Sequence, residues 1–250
     1  MFSITGSGTI VTGTLISGSI SKDENLEILP LKKDIKVRSI QVHNNSCETS
    51  FAGQRTAINI YGIDKDEIYR GCVIASKNSI DVCEMFDVKL NVLNSSKRII
   101  KNGMQVHFFT STAQVLAKIF LLDKEELKAG EEGFAQIRTD KKIAIKSTDK
   151  FIIRFYSPLE TIAGGSVLLT NTTKSKRFDD TKISELRNLE SGSAEDILNH
   201  YLNQYNKPIL KINDIAQKSK FNEEELTDAL KEMKNNGKVI EYNFAKEKII

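Results

Sequence analysis

The chain has 250 residues, of which 40% are hydrophobic and 28% are charged, and its formal net charge is +3. This composition is ordinary for a globular protein, and the length allows about one to three domains. The net charge is too small to indicate nucleic-acid binding by bulk charge. No apolar run approaches the roughly 18 residues of a membrane-spanning helix, and the start of the chain lacks the features of a signal peptide.

The cysteine pattern indicates a reducing compartment. Cys47, Cys72 and Cys83 are odd in number and show no CxxC spacing. Such a pattern is typical of free thiols, so we expect a cytoplasmic protein in which each cysteine is a small buried hydrophobe. We expect no metal site.

The first residues predict a strand, a glycine turn at Gly6–Gly8 and a long second strand from Thr9 to Ile20, rich in β-branched residues. Because the chain starts inside a strand, we expect it to be a piece of a longer protein. Gly8-x4-Gly13-Thr14 has the outline of a phosphate-binding loop, but no lysine follows Gly13 and the segment continues into a strand. We therefore predict no nucleotide-binding loop.

Residues 1–80 predict a first antiparallel β-barrel of short strands and turns. The apolar alternation slips by one residue between Val37 and Ile40, which indicates a β-bulge. From Arg55 to Tyr61 the alternation is regular, and it places Arg55 on the face opposite Ile58 and Ile60. Arg55 is thus expected on a solvent or ligand face.

Residues 81–173 predict a second antiparallel β-barrel, with Val88, Leu90 and Val92 on one face of a strand. Residues 174–192 are polar and contain Ser191-Gly192-Ser193, a composition typical of a linker with room for a short helix.

From Ser193 onward the hydrophobic period changes from 2 to 3.6, which predicts helices. The first helix begins after Ser193, a second covers Ile212 to Lys218, and a third begins with a capping box formed by Asn222 and Glu225. A hairpin from Val239 onward follows. Three helices and a hairpin are typical of a winged-helix domain over residues 193–250.

Nucleic-acid binding by this domain is disfavoured by the charge of its third helix. That helix carries five acidic residues against Lys231 and Lys234, so phosphates would be repelled. A spacer or a protein-contact module is the preferred interpretation.

The motif Phe2-Ser-Ile-Thr-Gly-x-Gly-Thr-Ile-Val-Thr-Gly13 resembles the opening of the second domain of translational GTPases of the elongation factor Tu class. The resemblance is closer to SelB, the family of selenocysteine-specific elongation factors, through Leu26-Glu-Ile-Leu-Pro30, Val37-Arg-Ser-Ile-Gln-Val-His43 and Phe51-Ala-Gly-Gln-Arg55. It continues into domain three through Phe151–Pro158 and Thr161–Gly165. The helical part resembles the winged helices that follow domain three in bacterial SelB.

The resemblance implies that the first barrel holds the aminoacyl end of a tRNA. Arg55 matches an arginine that contacts the selenocysteine side chain, Phe2, Thr12 and Gln41 match residues that line the pocket, and His43 is a weaker neighbour. Without the resemblance, Phe2 would be interpreted as a core aromatic, Thr12 as an ordinary strand residue and Arg55 as a solvated charge.

The resemblance further implies a fragment of a GTP-dependent factor that delivers selenocysteyl-tRNA to the ribosome. GTP and Mg would be bound by a GTPase domain absent from this chain, and an mRNA hairpin by later winged helices. The chain itself is expected not to be an enzyme, since its three histidines, His43, His107 and His200, form no catalytic signature. The alternatives are another elongation factor Tu relative and a scaffold that docks a GTPase domain without binding RNA.

Overall fold

The computed structural model describes residues 2–4, 8–204, 212, 215–216, 219, 221–239, 242–244 and 247–249. The chain forms two compact units, Met1–Ile80 and Asp81–Ile250. The elements of the first unit are strands apart from one short 3-10 helix, Lys65–Glu67. Its strands are β1 (Phe2–Ile4), β2 (Gly8–Thr14), β3 (Ser19–Ser21), β4 (Asn25–Leu29), β5 (Lys33–Val42), β6 (Asn45–Cys47), β7 (Thr49–Phe51), β8 (Arg55–Tyr61) and β9 (Val73–Ala75).

The first unit is built on one antiparallel sheet in the order β1-β2-β8-β5-β4-β9, with β6 paired to β5. Its buried side is an aliphatic cluster that includes Leu26, Val37 and Ile60. The predicted bulge is confirmed, since the register between β5 and β8 shifts between Val37 and Ser39.

Among the described residues the strands of this unit do not form a closed hydrogen-bonded ring, so the barrel predicted for residues 1–80 stays a prediction. The sheet has edges at β1 and β9, and β3 and β7 form a separate two-stranded sheet. In the described residues, no strand ladder joins the β3–β7 pair to the main sheet.

The second unit contains a closed six-stranded barrel in the order β10-β15-β13-β12-β16-β17 and two further two-stranded sheets. Its strands are β10 (Asp81–Val92), β11 (Ile100–Lys101), β12 (Gln105–Thr110), β13 (Ala113–Leu121), β14 (Glu126–Leu127), β15 (Glu132–Ile145), β16 (Lys150–Phe155), β17 (Thr161–Leu169), β18 (Tyr242–Phe244) and β19 (Glu247–Ile249). Phe86, Val88 and Phe108 lie in its core with no exposed surface. The close approach of β17 to β10 requires glycine at Gly165, where a Cβ would overlap the carbonyl oxygen of Lys89.

The second unit also contains three helices, α1 (Asp180–Ser191), α2 (Ala194–Gln204) and α3 (Glu223–Asn235). The predicted start of α2 is confirmed, since the Ser193 hydroxyl accepts a hydrogen bond from the Asp196 amide. The Asn222–Glu225 capping box of α3 and the hairpin of β18 and β19 are also present. Most of the second predicted helix, 212–218, lies outside the described residues, so the winged-helix domain stays a prediction.

The stretch interpreted as a linker, 174–192, contains α1. One face of α1 is buried in a cluster that also contains Ile197 of α2, Leu226 of α3 and the barrel residue Phe134. The helices are therefore packed on the barrel through a shared apolar interface. None of the helices in the described part of the chain could cross a membrane.

Replacing Leu186 of α1 by alanine should lower the free energy of unfolding by about 2–5 kcal/mol, because a fully buried leucine leaves a cavity. Leu159→Ala is the matched control, since Leu159 is 47% exposed and its loss should change stability by no more than about 0.5 kcal/mol. Urea unfolding of both variants checks this. Equal losses would show that Leu186 does not pack as described.

Candidate functional site

The candidate site is the outer face of the first unit's sheet. Along β8, Thr56, Ile58 and Ile60 are buried, while Arg55 is exposed and Ala57 is half-buried. The alternation predicted for this strand is confirmed. Side chains of β8 therefore divide cleanly between the apolar core and an outer face that contains Arg55.

The strand register brings three of the predicted site residues together. Ala57 pairs with Thr12 on β2 and with Gln41 on β5. Directly paired residues of antiparallel strands project to the same face with Cβ atoms about 4.5–5.5 Å apart. Thr12 and Gln41, both exposed, thus flank the small side chain of Ala57, and Arg55 lies two residues further along the same face.

The remaining two predicted residues are placed nearby by the backbone. Phe2 pairs with Ile10, which in turn pairs with Asn59 of β8. His43 follows the last β5–β8 pair, Val42 with Thr56, so the chain turns beside Arg55.

His43 begins a two-residue hairpin turn between β5 and β6. His43 and Asn44 have φ values of 51° and 66°, as both central residues of a type I′ turn require. This conformation is uncommon for residues other than glycine, although asparagine and histidine adopt it more readily than most. Backbone strain of this kind is often kept at functional sites.

Arg55 contributes a positive charge to this face, beside Thr12, Ala57 and Gln41. No acidic side chain among the described residues forms an ion pair with it. A guanidinium is always charged and offers several hydrogen-bond donors in a fixed plane. Arg55 therefore has the chemistry to bind an anionic group next to Ala57. Within the described part of the chain, no three His, Cys, Asp or Glu side chains could share a metal ion.

A second polar cluster, in the second unit, was not predicted. Lys182 Nζ of α1 lies 3.0 Å from Asp87 Oδ2 of β10 and 2.8 Å from Glu185 Oε2. His200 of α2 donates through Nδ1 to Glu185 Oε1 at 3.1 Å. The sequence carried no signal for this cluster, because Asp87 is one of several polar residues in β10, along with Glu84 and Lys89, and only the structure shows that it has no exposed surface.

The surroundings shift the pKa values of this cluster. Burial raises the pKa of Asp87, and the nearby charge of Lys182 opposes that rise. Burial acts to lower the pKa of Lys182, but Asp87 and Glu185 outweigh it, so that pKa is raised and the ammonium stays charged. The hydrogen bond from His200, together with Lys182, lowers the pKa of Glu185 to about 2.

Comparison with known proteins identifies the relatives of both units. Residues 8–75 match the family model of elongation factor Tu domain 2, and residues 87–174 match that of the beta-barrel domain of selenocysteine-specific elongation factors. The selenocysteine-specific elongation factor of Desulfomicrobium baculatum is 36% identical over 198 residues, which are 79% of this chain and 31% of that protein. That of Methanocaldococcus jannaschii is 29% identical over 165 residues, 61% of this chain and 35% of that protein.

A solved structure agrees with these relatives. The apo crystal structure of translation elongation factor SelB from Methanococcus maripaludis matches with a TM-score of 0.59 and 26% identity, over 72% of this chain and 42% of that one. The resemblance drawn from the sequence is thereby confirmed. The chain spans about a third of the length of the curated relatives described above.

Acidification should weaken the second unit through Glu185. A carboxylate whose folded pKa is lowered to about 2 stabilises the fold above its ordinary pKa, and this contribution is lost as the pH falls toward 2. Between about pH 6 and pH 3 the loss should be about 2 kcal/mol. Urea unfolding at both pH values should show a smaller acid-induced loss for Glu185→Gln. The control is Glu224→Gln on the exposed side of α3, which should behave like the parent protein.

Proposed function

We propose that this chain, a relative of the selenocysteine-specific elongation factors, holds the aminoacyl end of selenocysteyl-tRNA on the outer face of its first unit. The observation that carries the proposal is the register of β8. It places Arg55 two residues from Ala57, whose small side chain is flanked by Thr12 and Gln41. Arg55 is exposed and has no ion-pair partner among the described residues. Its charge is therefore available to a ligand.

The chemistry of the amino acid fits this arrangement. A selenol is ionised near neutral pH, whereas the hydroxyl of serine is neutral. The fixed positive charge of Arg55 would therefore favour selenocysteine over serine, and charge-assisted hydrogen bonds would strengthen the preference. Thr12 and Gln41 would position the aminoacyl group through neutral hydrogen bonds.

The proposal also includes parts of the factor beyond the first unit. GTP and Mg would be bound by a separate GTPase domain, the complex would deliver its tRNA to the ribosome, and an mRNA hairpin would be held by further winged helices. Residues 193–250 would form the first winged helix. The acidic residues at the start of α3, Glu223, Glu224 and Glu225, favour a protein-contact or spacer role for it.

The competing hypothesis is a scaffold that docks a GTPase domain without binding RNA. Titrating the chain with selenocysteyl-tRNA separates the two hypotheses. Saturable binding that weakens with added salt supports the tRNA-binding module, because phosphate contacts release counterions. A complete absence of binding at micromolar protein would favour the scaffold.

Arg55→Ala should weaken binding of selenocysteyl-tRNA about tenfold to a hundredfold, since hydrogen bonds to charged groups contribute about 1.5–3 kcal/mol. Binding of seryl-tRNA should change much less. Lysine at position 55 should restore part of the loss, because it keeps the charge and lacks the planar fork. The measurement is the affinity for both tRNAs at fixed salt, in a chimaera joining this chain to the GTPase domain of a relative.

The matched control for Arg55 is Arg70→Ala. Arg70 is also exposed, belongs to the same unit and lies in the loop before β9, outside the candidate face. Its loss should leave both affinities unchanged within about twofold, as for an ordinary surface charge. Equal losses for the two tRNAs in Arg55→Ala would show that Arg55 does not read the amino-acid side chain.

The chain alone should neither bind GTP tightly nor hydrolyse it. Gly8–Thr14, which has the outline of a phosphate-binding loop, is strand β2, so no helix N-terminus follows to hold phosphates, and the required lysine is missing. Equilibrium titration with a fluorescent GTP analogue checks this. Saturable binding in the micromolar range would contradict it.

A further inference from the structure

Strand β10 and helix α1 meet through two ion pairs of opposite polarity. Asp87 and Lys89 are two residues apart on the outer face of β10, opposite the core residues Phe86 and Val88. Asp87 pairs with Lys182 at 3.0 Å, and Lys89 pairs with Glu190 at 3.0 Å and also with Glu132 of β15 at 2.9 Å. Lys182 and Glu190 are eight residues apart, about two helical turns, and therefore lie on one face of α1.

The two pairs differ in burial. The side chain of Asp87 has no exposed surface and that of Lys182 is 20% exposed, whereas those of Lys89 and Glu190 are 11% and 33% exposed. Leu186 and Leu189 of α1 lie between the pairs in sequence and pack in one apolar cluster with barrel residues. The barrel residues of this cluster are Leu122, Phe134 and Leu169.

The polarity of the pairs specifies the direction of α1. On β10 the negative residue precedes the positive one, and on α1 the positive residue precedes the negative one. A helix docked in the reverse direction would place Lys182 against Lys89 and Glu190 against Asp87. Such like-charge contacts disfavour that arrangement, most of all where Glu190 would face the fully buried Asp87.

The chain that leads into α1 is also bound to the barrel. Gln136 donates to the carbonyl oxygen of Thr173 at 2.8 Å. Arg177 donates to the carbonyl oxygens of Leu121 and Lys124, each at 3.0 Å. These bonds hold residues 173–177 along the barrel surface, so that α1 does not follow a free linker.

We propose that the crossed pairs Asp87–Lys182 and Lys89–Glu190 form a latch that docks α1, α2 and α3 on the barrel in one direction, and that the three helices leave the barrel only together. The latch is independent of the proposed tRNA binding.

The joint release of the three helices has a structural basis in the apolar cluster that they share with the barrel. Leu186 of α1, Ile197 and Leu198 of α2 and Leu226 of α3 belong to one buried cluster. Glu185 extends the ionic contacts from Lys182 to His200 of α2. Undocking α1 would therefore expose the apolar faces of α2 and α3 as well.

The test is amide hydrogen exchange of the whole chain with Lys182→Met, which keeps the length of the side chain and removes its charge. Exchange in α1, α2 and α3 should accelerate together by on the order of a hundredfold, because the fully buried Asp87 would lose its salt bridge and keep only the hydrogen bonds from Gln136 and Thr172. Exchange in strand β12, which lies opposite β10 in the barrel order, should not change. The double variant Asp87→Asn/Lys182→Met should recover most of the protection, since no buried charge is left unpaired.

Lys231→Met is the matched control. It removes an ion pair with Asp228 in which the two side chains are 67% and 71% exposed, and exchange should change by less than about fivefold. Acceleration confined to the first turn of α1 in Lys182→Met, or an equal acceleration in the barrel strands, would overturn the latch. If Lys182→Met does not fold, Glu190→Gln should accelerate the three helices together to a smaller extent, and unchanged exchange in that variant would equally overturn it.

Discussion

The hydrogen bonding of β8 on both of its edges is the constraint on which the candidate site depends. β8 lies between β2 and β5, so each outward residue on it has a neighbour on either side. Ala57 is flanked by Thr12 and Gln41 because both ladders are in register at that point. A slip of one residue in either ladder would send Thr12 or Gln41 into the apolar core.

The bulge in β5 is what makes this register possible. Ile35 and Val37 are buried, and a strand without an extra residue would continue the pattern and bury Gln41. The shift between Val37 and Ser39 moves burial to Ile40 and turns Gln41 outward. The bulge in β5 therefore places the side chain of Gln41, a proposed ligand contact, on the outer face. Bulges often redirect a side chain in this way beside functional sites.

The sequence predicted the features that depend on local pattern. The bulge, the two faces of β8 and the caps of α2 and α3 follow from spacings of a few residues. The burial of α1 could not be predicted in this way, because its partners on β10 are about 95 residues away in the sequence. The strand order of the first unit could not be predicted either. It depends on which distant strands form hydrogen bonds with each other, and the alternation of apolar residues does not specify those partners.

The two units use charge in different ways, and the difference bears on function. In the second unit the buried charges Asp87 and Lys182 are paired, because an unpaired buried charge would destabilise the fold. In the first unit Arg55 is exposed, and no described residue neutralises it. An exposed arginine without a partner contributes little to stability, so its replacement should leave the sheet intact. A loss of ligand binding after that replacement can therefore be assigned to the ligand contact and not to the fold.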